Sequence, residues 1–83
     1  METSRLAIVG RLGVPPGRQG SLGNGTCSDV FELNDGRFAI IGTDMTDEVD
    51  GILPTDAARA EYERIVVVSR EALIKAKPDI PDI

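Results

Sequence analysis

With 83 residues and a formal charge of -5, from 14 acidic and 9 basic side chains, the chain has room for one small domain with a thin core. It has no histidine and a single cysteine, Cys27, which excludes an intrachain disulfide, a Cys/His zinc site and a Ser-His-Asp or Cys-His catalytic arrangement. Charge is segregated: residues 1–28 carry a net +2, residues 29–56 a net -7 and residues 57–83 a net zero from five acids and five bases, which argues against direct binding to a phosphate backbone and suits a basic partner surface.

Leu6 to Val9 reads equally as a short strand or as an apolar patch in a tail. That run is too short for a signal peptide, and no stretch reaches the length of a bilayer span, so the expected location is the cytoplasm, with Cys27 as a free thiol. Residues 10–25 hold six glycines and the pair Pro15-Pro16, a composition that resists regular structure. Residues 1–24 are therefore expected as a flexible Gly/Pro-rich arm, and residues 25–83 as a single small domain. Gly20, Gly23 and Gly25 lack the spacing of a dinucleotide-binding loop, and no lysine precedes Lys75 to complete a P-loop.

The strongest local signal lies in residues 30–41. Val30 to Asn34 leads into Asp35-Gly36, and Arg37 to Ile41 leads out. Asp-Gly between two strand-like runs predicts a two-residue type I′ hairpin. That turn pairs Leu33 with Phe38 and Phe31 with Ile40, and puts Phe31, Leu33, Phe38 and Ile40 on one face.

Residues 42–51 are polar and acidic and read as a loop. Asp44, Asp47, Glu48 and Asp50 are the candidate partner-contact residues. They also supply oxygen ligands of the kind Ca²⁺ or Mg²⁺ prefers, but an EF-hand register anchored on Gly51 would put Thr46 first and Ala57 last, so that motif fails. Thr55 is placed to cap a short helix over residues 56–63, with a loop as the alternative. Residues 64–68, with four consecutive β-branched side chains, predict a central strand buried on both faces. Ser69 is a good N-cap for a helix over residues 70–77, with Glu71 in its first turn, Leu73 and Ala76 facing inward and Ala72 as a further candidate for that stripe, Lys75 and Lys77 near its end, and Pro78 closing it. The expected fold is α+β: a small antiparallel sheet with the 30–41 hairpin and strand 64–68, and a C-terminal helix.

Gly25-Thr26-Cys27-Ser28-Asp29-Val30, Asp35-Gly36, Phe38 to Asp44 and Val67 to Leu73 together resemble the small actinobacterial proteins of the uncharacterised DUF397 type. Ala72 stands where that family has Trp, and Gly42-Thr43 stands where it has Arg-Asp. The resemblance implies an accessory or antitoxin-like partner of a DNA-binding regulator, and it brings no catalytic residues with it.

No catalytic residue, cofactor or metal is expected. The leading expectation is a non-enzymatic protein-interaction module, with a basic protein partner and a link to transcription regulation. One alternative is a small structural homodimer, paired through Ile65 to Val68 or the hairpin edge. Another is an ion-binding or carboxylate-based enzyme domain centred on residues 44–50.

Overall fold

The computed structural model of the chain describes residues 5–16 and 27–82. Its fold is α+β. Three antiparallel strands form the main sheet: β1 (Ile8–Arg11), β2 (Asp29–Leu33) and β3 (Phe38–Ile41), in the order β1-β2-β3. The chain passes through Gly42 into β4 (Thr43–Asp44) and a five-residue helix, α1 (Thr46–Asp50). After an irregular stretch, β5 (Val66–Val67) pairs antiparallel with β4 as a second, two-stranded sheet. Helix α2 (Arg70–Ala76) follows and ends in a 3₁₀ turn over Lys77–Asp79.

The hairpin forms in a different register from the one expected. Phe31 pairs with Ala39 and Glu32 with Phe38, one residue away from the type I′ register. A type I′ turn needs positive φ at Asp35, and no described residue other than glycine has it. Gly36 alone takes that conformation, at φ +91°. Its amide donates to the Leu33 carbonyl at 3.1 Å, and the Leu33 amide donates to the Arg37 carbonyl at 2.9 Å, closing a three-residue loop of Asn34, Asp35 and Gly36. The edge strand explains the choice. Asn34 donates its backbone amide to the Ala7 carbonyl, its side-chain carbonyl accepts from the Ala7 amide, and its side-chain amide donates to the Arg5 carbonyl. Asn34 is thus tied to the residues leading into β1 rather than paired with Arg37.

A shift of one residue exchanges faces, because side chains alternate with period two. Val30, Glu32, Phe38 and Ile40 share one face, and Asp29, Phe31, Leu33, Ala39 and Ile41 share the other. The expected quartet of Phe31, Leu33, Phe38 and Ile40 is therefore split between faces.

Residues 8–16 are not an arm. β1 is a full strand of the sheet, with a bulge at Val9 between the Ile8–Leu33 and Gly10–Glu32 pairs. Leu12 continues the ladder by donating to the Val30 carbonyl at 2.8 Å and is buried with Val30 and Ala76. Gly13, at φ +88°, donates to the Asp79 carboxylate at 2.8 Å. A Cβ there would lie 2.9 Å from the Ala76 backbone nitrogen, so glycine lets the end of α2 close over this segment. The rest of the expected arm, residues 1–4 and 17–24, lies outside the described residues.

Two further expectations are corrected. The strand over residues 64–68 is reduced to Val66–Val67, and these are 40% and 41% exposed, paired on one side with β4 and not central in the main sheet. Gly42 permits this arrangement, since a Cβ there would come within 2.7 Å of the Val67 carbonyl. Residues 56–63 are irregular, with short turns in place of a helix, and their alanines offer little surface to pack. The C-terminal helix forms as expected, with the Ser69 hydroxyl accepting from the Ala72 amide at 3.1 Å. Pro78 falls inside the closing 3₁₀ turn. Ala72 and Ala76 face inward, whereas Leu73 stays 51% exposed.

Candidate functional site

The acidic segment is more structured than a solvated loop. The Asp44 carboxylate accepts from the Thr46 hydroxyl at 2.7 Å and the Thr46 amide at 3.1 Å, and pairs with Arg64 at 3.1 Å. Thr46 is buried, and its hydroxyl accepts from the Ile65 amide at 2.8 Å. The bonds from Thr46, followed by the Arg64 guanidinium, lower the Asp44 pKa to about 2. Asp50 takes two bonds from Arg59, at 3.1 and 3.2 Å, and Arg59 also donates to the Ala60 and Glu63 carbonyls. Two of the four candidate partner-contact residues, Asp44 and Asp50, thus make ion pairs within the chain, with side chains 52% and 45% exposed. Asp47 and Glu48 are exposed on the first turn of α1. The four do not converge: among the described residues, no group of three or more His, Cys, Asp or Glu side chains is placed to hold a metal ion.

A different site emerges on the sheet face that carries Val30. Two rows of side chains cross it. One is Leu12, Val30 and Ile40; the other is Gly10, Glu32 and Phe38. The C-terminal half of α2 packs on the first row through Ala76. Its cover is incomplete, and a groove of about 180 Å³ remains, lined by Leu12, Val30, Phe38, Ile40, Leu73, Ala76 and Ile80. Every one of these residues is apolar. Phe38 is 43% exposed, Ile40 46%, Leu73 51% and Ile80 47%. β3 is also the outer strand of its sheet, so the groove runs out to a strand edge that is unpaired among the described residues.

The second row is more open still. A Cβ built on Gly10 meets no atom of the described residues within 4 Å. Glu32 is half-buried beside it on the central strand. No ion pair or hydrogen bond reaches its carboxylate among the described residues.

On the opposite face the Asp29 carboxylate is satisfied within the chain, although Ile8 and Ile41 there stay 58% and 50% exposed. Arg11 makes a two-pronged ion pair with Asp29, at 2.9 and 3.0 Å, and its guanidinium lies 5.2 Å from the centre of the Phe31 ring. The Asp29 side chain is only 6% exposed.

Sequence reasoning placed the candidate contacts in the acidic segment and missed the groove, because a one-residue register error moved Phe38 and Ile40 away from Val30. The triplet Asn34-Asp35-Gly36 held a usable signal, since glycine third in a three-residue loop suits a type I turn closed by a bulge. Leu12 carried no such signal, being embedded among glycines and prolines.

The chain matches no family model, no curated protein and no solved structure at a significant level. The resemblance to DUF397-type proteins therefore rests on the quoted residues alone; the described ones among them fall at the start of β2, in the hairpin turn, on β3 and β4, and at the β5–α2 junction. No helix among the described residues is long and apolar enough to cross a membrane.

Proposed function

We propose that this domain is a non-enzymatic protein-interaction module that docks an apolar segment of a partner protein in the groove between β3 and α2. The observation that carries this reading is the groove itself: seven apolar residues line it, and four of them remain about half exposed in a domain whose buried core is very small. The surplus of negative charge on residues 29–56 suits a partner with a basic surface, and the exposed Asp47 and Glu48 are the members of the acidic set free to meet it. The resemblance stated above extends the proposal to an accessory or antitoxin-like partner of a DNA-binding regulator, working in the cytoplasm without touching nucleic acid itself.

The test is affinity capture from native cells with the wild-type chain and with Leu73→Glu, a change at a half-exposed helix position that leaves α2 able to form. At least one protein should be retained by the wild type and lost with the variant. Identical protein sets from the two, with circular dichroism showing both folded, would refute the groove as the docking surface.

A second reading has support in the uncharged edge of β3, with which no strand pairs among the described residues. Two copies could pair antiparallel there and form a structural homodimer. Sedimentation at high concentration decides it, and a strict monomer removes it.

A further inference from the structure

We infer that Glu32 and Phe38 form a subsite for one Lys or Arg side chain, carried by the protein segment that docks in the adjoining groove; this inference rests on the docking reading above. Glu32 and Phe38 are direct cross-strand partners, so their side chains stand next to each other on the same face. Phe38 is 43% exposed, and Glu32 is a half-buried residue whose carboxylate has no cation among the described residues. Gly10 flanks Glu32 on the other side, and its missing side chain leaves the space above the row open. A long basic side chain laid over Gly10 can reach the carboxylate with its charged end and lie against the ring.

The molecule contains the filled counterpart of this arrangement. On the other face of the same strand, a carboxylate and an aromatic ring, Asp29 and Phe31, hold the guanidinium of Arg11. There β1 supplies an arginine opposite Phe31; on the open face β1 supplies Gly10 opposite Glu32. The carboxylate and ring are present on both faces, and on the open one the cation is left to the partner. Charge agrees, because residues 29–56 carry a net -7 and would draw a basic segment in. The occupant is thus a peptide segment with apolar side chains for the groove and one Lys or Arg for Glu32.

The experiment selects binders from a random linear peptide display library on the immobilised full chain, as wild type, Glu32→Gln and Leu73→Glu. A peptide recovered on the wild type is then titrated in its arginine form and with that arginine replaced by citrulline, its neutral analogue. The wild type should enrich peptides that combine apolar residues with a Lys or Arg. Glu32→Gln should keep the apolar preference and lose the basic one. Citrulline should weaken binding about fivefold to tenfold on the wild type and less than twofold on Glu32→Gln. Apolar peptides without a basic residue, or a basic preference that Glu32→Gln leaves intact, would overturn the cation subsite while the groove reading stands. No enrichment, or enrichment that Leu73→Glu leaves unchanged, would overturn both. A stable dimer that Leu73→Glu dissociates would make a second copy the occupant and overturn the partner assignment.

Discussion

The two faces of the three-stranded sheet carry similar chemistry and meet different fates. On one, Asp29 and Phe31 are satisfied by Arg11 from the neighbouring strand. On the other, Glu32 and Phe38 have no such cation among the described residues, and α2 covers the apolar row beside them only in part. The difference shows which interactions serve folding. A carboxylate as buried as Asp29 must be paired within the chain, since an unpaired buried charge is costly. Glu32, with access to water, can remain unpaired and so remain available.

The comparison is most easily broken where α2 closes over β1. Gly13→Ala puts a Cβ within 3 Å of the α2 backbone and forces φ +88° on a residue that disfavours it. It should cost about 3 kcal/mol in urea unfolding, from the positive φ and the overpacking together. A small core offers only about 3–5 kcal/mol in all, so much of this variant should be unfolded at room temperature. Wild-type stability would show that α2 does not close the sheet as described. Arg11→Met opens the satisfied face while keeping most of the apolar stem. It should destabilise by about 2–3 kcal/mol, below the range for fully buried pairs because Arg11 is 40% exposed. Replacing Asp29 with Asn in the same chain should recover part of that loss, and a double-mutant cycle showing no coupling would sink the pairing.

The acidic segment gives a smaller, pH-dependent effect that separates folding carboxylates from free ones. The Asp44 pKa falls from 3.8 to about 2 on folding, chiefly through the hydroxyl and amide of Thr46 and then through Arg64. A depressed carboxylate pKa contributes stability that is present above pH 3.8 and is lost as pH falls toward 2. Asp35 is shifted in the same direction by Arg37. Asp44→Asn should therefore flatten the stability profile between pH 4 and pH 2, and an unchanged acid limb in thermal melts would contradict the assignment. The smallest effect belongs to the open face. Glu32→Gln should change stability by less than about 0.5 kcal/mol, because no folding contact depends on the charge. A loss comparable to that of Arg11→Met would mean that Glu32 is a folding residue and not a free one.

Much of the local structure is legible in the residues themselves. Ser69 caps α2 through its own hydroxyl, two turns of helix follow, and the chain reverses at Asp35-Gly36. Each feature depends on interactions only a few residues long, which composition and order encode directly. The α+β class follows from the same signals. The register of the hairpin does not. Both loop lengths suit Asp-Gly and its neighbours, and the choice falls to Asn34, whose bonds run to Arg5 and Ala7 some 27 to 29 positions away in the chain. That distant contact decides which face receives Phe38 and Ile40, and hence where the groove lies. Burial likewise escapes a local reading. Leu12, set among glycines, enters the core because β1 and α2 meet there, while Val66 and Val67 stay partly exposed because only the short β4 pairs with them. The place of the chain reversal, the helix cap and the fold class are written in local sequence, since those energies are local. The tertiary structure decided register and coverage, which depend on contacts between distant segments, and so decided which carboxylate folds the domain and which one is left to face a partner.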